Sequence, residues 1–260
     1  MGLMQDKNVL VVGARNKWSI SWHCALSLMR EGANVAFSVY SDREKGDVEK
    51  LLRDTDSPDS AIFLCNATLK EDIDRMYEQV SAHFGGKLDA LLHGIAFAKR
   101  DELTGEFATT SSDGWDLALS SSAYTLVSLT QGARPLMDAA GGGSVVTLSY
   151  LGAERVVPGY NVMGVAKSAL ESSVRYLAFD LGPTNIRVNA VSAGPIKTLA
   201  ASGISGLSDM LKHVAEKAPL RRGVDADEVG DTVMFLMSQL SRGITGEVIY
   251  VDAGYNIVGM

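Results

Sequence analysis

Short apolar runs alternate along the whole chain with longer stretches whose apolar residues recur every three or four positions. Residues 7–13, KNVLVVG, are a continuous apolar run ending in glycine, the pattern of a strand buried on both faces of a parallel sheet. Residues 19–33 then show helical spacing and a stop at Gly32. The same reasoning predicts strands at 34–40, 61–67, within 87–97, and at 143–150, 186–194 and 246–254. It predicts helices over 70–85, within 111–137, over 160–181 and over 225–240. Seven strands interleaved with helices imply an α/β chain that forms one domain over 1–260. Its doubly wound, mainly parallel seven-stranded sheet carries helices on both faces. Residues 195–222 have weak periodicity and follow the sixth strand. Ligands of open α/β sheets bind beyond the carboxyl ends of the strands, so this segment is expected to be a substrate-binding lid.

Composition changes this picture little. Of 260 residues, 46% are hydrophobic and 21% charged, as in soluble globular proteins, and the net charge of −7 speaks against nucleic acid as the main partner. No apolar run is long enough to span a bilayer. The start, MGLMQDKNVLVVG, lacks the pattern of a signal peptide, and Asp6 breaks a myristoylation motif. Cys24 and Cys65 lie in apolar stretches without a Cys/His cluster. They are expected to be reduced thiols in a cytoplasmic protein, with no metal site.

Candidate chemistry begins at GARNKWSI, residues 13–20, between the first strand and the first helix. Gly13 permits a sharp turn and a close backbone approach, and Ser19 can cap the helix. Free amides there would favour a pyrophosphate. The stretch is not G-x-G-x-x-G, so by spacing alone it is equally a plain turn. At the end of the second strand, YSDREK has no acid in the strand itself. Asp42 would disfavour a ribose 2′-phosphate and Arg43 would accept one; both are equally readable as solvated loop charges.

Tyr160 and Lys167 are seven residues apart, nearly two helical turns, which puts them on one helix face. A cleft-facing lysine beside a tyrosine can hold ribose hydroxyls and favour negative charge near the phenol. A core tyrosine and a surface lysine are the bland alternative. Tyr-x3-Lys, the pattern of short-chain dehydrogenases and reductases, would need a tyrosine at 163, and the chain has Met163. Either the chain is inactive or its chemistry uses a tyrosine placed differently.

LSYLGAERVVPGYNVMGVAK, residues 148–167, resembles the active-site segment of bacterial enoyl-acyl-carrier-protein reductases, a branch of the short-chain dehydrogenase/reductase superfamily that uses Tyr-x6-Lys. NAVSAGPIKTLAASGI (189–204) resembles their substrate loop, GARNKWSI their dinucleotide loop, and GEVIYVDAGY (246–255) their last strand. The resemblance covers essentially the whole chain. It implies a Rossmann-like fold and reduction of the trans-2 double bond of an enoyl-acyl-carrier-protein thioester, the last step of the fatty acid elongation cycle. The cofactor implied is NADH (NAD); Ser41 and Asp42 form no obvious phosphate pocket, and NADPH stays open as the alternative. It further implies a homotetramer that takes its substrate from acyl carrier protein. Lys197, Lys212, Arg221 and Arg222 lie near the lid and would suit a basic rim for an acidic carrier, each singly reading as a solvated surface charge.

Carried over by position, Tyr160 would donate to the thioester carbonyl, Lys167 would bind the nicotinamide ribose, and Tyr150 would line the substrate pocket with Ala98. Gly13, Ser19 and Ile20 would hold the pyrophosphate region, with Tyr40 at the end of the second strand. Asn66 and Ala67 would flank the adenine and Ile95 the ribose side. Ile196, Lys197, Thr198, Leu199 and Ala200 would cover the nicotinamide and pyrophosphate. Three residues depart from the family pattern. His23 replaces a glycine and would push the first helix from the sheet. Asn66 replaces an aspartate but keeps an oxygen that accepts from the adenine amino group. Ala96 replaces a glycine near the cofactor.

The Tyr-x6-Lys spacing suits this chemistry. In ketone reduction the oxygen is on the carbon that takes hydride. In enoyl reduction hydride goes to the β-carbon and charge develops on the thioester oxygen two bonds farther away. A donor about one helical turn earlier can meet it while the lysine stays at the ribose.

Overall fold

The computed structural model describes residues 2–198 and 207–259. Seven strands, β1 (Asn8–Val12), β2 (Asn34–Val39), β3 (Ile62–Leu64), β4 (Ala90–His93), β5 (Gly143–Ser149), β6 (Ile186–Ala193) and β7 (Val248–Val251), form one sheet in the order β3-β2-β1-β4-β5-β6-β7. All six pairings are parallel. The helices are α1 (Ile20–Arg30), α2 (Asp42–Leu52), α3 (Lys70–His83), α4 (Ser112–Leu119), α5 (Thr125–Ala140), α6 (Asn161–Leu181), α7 (Leu207–Lys217) and α8 (Ala226–Met237).

Strand alternation sorts the helices into two layers. Val9, Val11, Val35, Phe37 and Leu92 point to one face and pack with Trp22, Cys24 and Leu28 of α1, Val48 and Leu52 of α2, and Val229 and Val233 of α8. Leu10, Val12, Leu91 and Val145 point to the other, against Met76 and Val80 of α3, Leu126 and Leu129 of α5, and Leu170 and Val174 of α6. The strand order reverses between β1 and β4, and a cleft opens there at the carboxyl ends. At that crossing Gly13 has φ +96°, and a Cβ on it would lie 2.5 Å from the Gly94 carbonyl oxygen, so only glycine lets the two chains meet.

Two helices escape the periodicity argument. Along α2, DREKGDVEKLL, only Val48 and Leu52 are buried, so the apolar stripe is too thin to register; its start is marked instead by Ser41, whose side chain accepts from the Glu44 N–H. Helix α7 lies within 195–222. It packs Val214 and Ala218 on Ala253 near the carboxyl terminus, with Val224 and Tyr255 against them. The single helix expected in 111–137 is instead α4 and α5 joined by a π-helical turn, Ser120–Tyr124. β3 stops at Leu64, short of the expected 67, because Asn66 turns the chain by accepting from the Thr68 N–H and hydroxyl.

Between the layers, His93 at the end of β4 is buried, with Nδ1 on Thr147 Oγ1 at 2.8 Å and Nε2 on Thr125 Oγ1 at 2.9 Å. Burial, aided by the Lys167 charge, lowers its pKa from 6.5 to about 3. The folded state therefore refuses a proton that the unfolded state accepts between those values, and stability falls as pH drops through that window. From pH 6.5 toward 5, before most carboxylates titrate, urea-unfolding free energies should fall by about 1.4 kcal/mol per pH unit from this group alone. His93→Leu should flatten that slope; an unchanged slope would contradict the assignment.

Candidate active site

Two cavities lie side by side at the carboxyl ends of the strands. One, of about 380 Å³, is lined by Gly13, Arg15, Tyr40, Glu44, Asn66 and Ala67 among others. The other, of about 390 Å³, is lined by Ile20, Ala98, Tyr150, Tyr160, Met163, Lys167, Ile196, Thr198 and Met210 among others. Arg15, Ile95, Ala96 and Phe97 belong to both, so the two form one trough across the switch point.

The second cavity is built on the start of α6. Tyr160 is the residue just before the helix, and Lys167 follows on the same wall. The Lys167 ammonium is buried and donates to the Leu148 carbonyl of β5 at 2.7 Å. Burial lowers its pKa from 10.5 to about 8, against the upward pull of Glu171. Glu171, one turn further along α6, is also buried and accepts from the Ser149 hydroxyl; burial first of all raises its own pKa. Glu171 and Ser149 were not singled out in the sequence, because a lone acid within a helical repeat carries no signal until its burial is seen.

Tyr150 does not share the helix with Lys167, but its ring meets that of Tyr160 edge-on, with centroids 4.9 Å apart. Burial raises both phenol pKa values, that of Tyr150 to about 12; the neighbouring Tyr150 and the Glu171 charge add to the rise at Tyr160. Both phenols are thus protonated donors at neutral pH. The Tyr160 ring lies so close over Gly152 that a Cβ there would collide with it. Tyr150 Oη points at Met210 Sδ of α7, 3.1 Å away. Met163, at the position a Tyr-x3-Lys enzyme would use, is buried, with Ser122 Oγ 3.7 Å from its sulfur.

At the other end, Ser19 stands just before α1, but its hydroxyl caps no helix amide. It accepts instead from the Arg15 and Asn16 N–H groups, at 3.2 and 3.1 Å, and so ties the loop back on itself. Tyr40, Asn66, Ala67 and Ile95 line the first cavity. The amide oxygen of Asn66, expected to be left for an amino group, is already used by Thr68, so its NH2 is what remains for the cavity. Ala96 packs beside Val162 and Met163 without obstruction.

His23 does not push α1 from the sheet. Its side chain is turned toward α8, where Nδ1 lies 2.6 Å from Asp227 Oδ1 and Nε2 3.0 Å from the Lys17 carbonyl oxygen. Ile196 and Thr198 line the second cavity, Lys197 between them is exposed, and Leu199 and Ala200 lie outside the described residues. In the expected basic rim, Arg222 is forked onto Glu228 at 2.7 and 2.8 Å, which offsets its charge, while Arg221 donates to the Glu216 carbonyl.

Neither expected charge at the end of β2 reaches the trough: Asp42 and Arg43 are exposed. The charged groups that line its first cavity are Arg15 and Glu44, neither of them singled out from sequence. Their signal was there in outline, since Ser41 and Glu44 have the Ser-x-x-Glu spacing of a helix start.

Residues 13–256 match the family model described as enoyl-(acyl carrier protein) reductase. The NADH-type enoyl-[acyl-carrier-protein] reductase of Nostoc sp. is 51% identical over 259 residues, 99% of each chain. That of Bacillus subtilis is 46% identical over 254 residues, 98% of this chain and 97% of its own. The crystal structure of the Bacillus cereus enoyl-acyl carrier protein reductase, solved with NADP+ and an indole naphthyridinone, superimposes with a TM-score of 0.97 at 45% identity, covering all of both chains. Extent, identity and shape agree: the chain belongs to the enoyl-acyl-carrier-protein reductase family.

Proposed function

We propose that this chain reduces the trans-2 double bond of enoyl-acyl-carrier-protein thioesters with NADH, as a cytoplasmic homotetramer that closes the fatty acid elongation cycle. The observation that carries this reading is the joint presence of Tyr160 and Lys167 on one cavity wall, with Met163 where a carbonyl reductase would need tyrosine. The trough also suits a dinucleotide, with one cavity for each half and the bare Gly13–Gly94 crossing beneath it.

When bound, the reduced nicotinamide supplies hydride; the remaining tasks fall to the chain. Lys167 holds the ribose beside the nicotinamide. Tyr160 donates a hydrogen bond to the thioester oxygen as negative charge gathers there, and its raised pKa keeps the proton on the phenol for that purpose. Tyr150, edge-on to Tyr160, walls the acyl pocket with Ala98. Residues 195–222 serve as the lid, with Met210 of α7 set against Tyr150. Tyr176 and Phe179 on α6, 73% and 84% exposed, and Tyr124 beside α5 form the apolar faces that a tetramer would cover.

Three outcomes follow. Tyr160→Phe should lower kcat for a crotonyl thioester by roughly 10²–10³-fold while the Kd for NADH changes little; unchanged turnover would overturn the role of Tyr160. Lys167→Met should instead weaken NADH binding measured by fluorescence titration, and an unaltered Kd would contradict the ribose contact. Light scattering should give a tetramer mass, and Phe179→Glu should break it into smaller species; a wild-type monomer would contradict the assembly.

A further inference from the structure

The first cavity holds one fixed acid and one loose cation. Among the described residues, Arg15 and Glu44 are the charged side chains lining it. Glu44 is anchored on three sides. Its N–H donates to Ser41 Oγ at 3.4 Å, its Oε2 accepts from the Tyr40 N–H at 3.0 Å, and its Oε1 accepts from Arg15 Nε at 2.5 Å. Its side chain is only 12% exposed, whereas that of Arg15 is 59% exposed. The acid therefore belongs to the frame, and the cation is held by the acid rather than by the fold.

The end of the second strand is where doubly wound dinucleotide folds tell a ribose 2′-hydroxyl from a 2′-phosphate, by an acid that accepts from the hydroxyl and repels the phosphate. β2 ends without one. Glu44 reaches back from the first turn of α2 and puts a carboxylate on the Tyr40 amide, at the strand end itself.

We propose that Glu44 is the specificity-determining residue that makes this chain select NADH over NADPH. It acts in two ways: its carboxylate repels a 2′-phosphate, and it holds Arg15, the cation able to pair with that phosphate, in an ion pair of its own. The proposal rests on the assignment of the trough to a nicotinamide dinucleotide. Asp42 and Arg43 are exposed and do not line this cavity.

Direct binding, read by nucleotide fluorescence for NADH and NADPH separately, tests it. The wild-type chain should bind NADPH about ten-fold or more weakly than NADH. Glu44→Gln keeps an acceptor oxygen but loses the charge and frees Arg15, so NADPH should tighten by about ten-fold while NADH shifts by less than about threefold. The gain should shrink in about 0.5 M salt. Arg15→Gln leaves the carboxylate without its counter-charge, and the preference for NADH should be at least as large as in the wild type. A Kd ratio unmoved by Glu44→Gln, or a preference lost in Arg15→Gln, would overturn the proposal. Failure of the wild-type chain to bind either nucleotide would instead overturn the assignment of the trough.

Discussion

A lysine ammonium buried against the end of the sheet sets the terms for everything around it. Lys167 has little water, so it must be satisfied by the Leu148 carbonyl and by whatever polar group enters the cavity. That bond ties α6 to the end of β5. The bend between them is then packed without clearance: the Tyr160 ring lies over Gly152, and a Cβ on Gly164 would come within 2.8 Å of the Gly152 carbonyl oxygen. Glu171 adds a counter-charge: burial raises its pKa, and the hydrogen bond from Ser149 works the other way and favours the carboxylate. The result is a cation kept at the margin of deprotonation beside two phenols kept fully protonated, which suits a site meant to gather charge on a substrate oxygen.

The nucleotide end follows a different logic. Its loop offers few conventional features, since Ser19 spends its hydroxyl on the Arg15 and Asn16 amides rather than on the helix. The loop is instead tied down from outside. Arg15 is tethered to α2 through Glu44, and the Lys17 carbonyl is bound by His23, which also reaches Asp227 of α8. Residue 23 faces sideways along the α1–α8 contact, and a Cβ on Gly230 would come within 2.8 Å of the His23 carbonyl. His23 therefore braces the loop without displacing the helix.

Most of the architecture was legible in the sequence because parallel strands buried on both faces write continuous apolar runs, as in KNVLVVG and IRVNAVSA. The pairing of Tyr160 with Lys167 was legible because seven residues of helix keep one face. What stayed hidden depended on burial or on distant partners. Glu171 looks like any helical acid until it is seen inside. Glu44 reads as one charge in DREKGDVEK until the loop brings Arg15 to it. The turn at Asn66 is an Asx turn that ends β3 early, and the amphipathic signal of α2 is too thin to stand out among its charges.

The account stands most directly on the state of Lys167. An NMR titration of its side chain in the unliganded protein reads that state without any assay of turnover. Burial beside Tyr160 predicts a midpoint near 8. A midpoint near 10.5, the ordinary value, would show the ammonium to be solvated and would contradict the dry, lysine-centred site on which the rest depends.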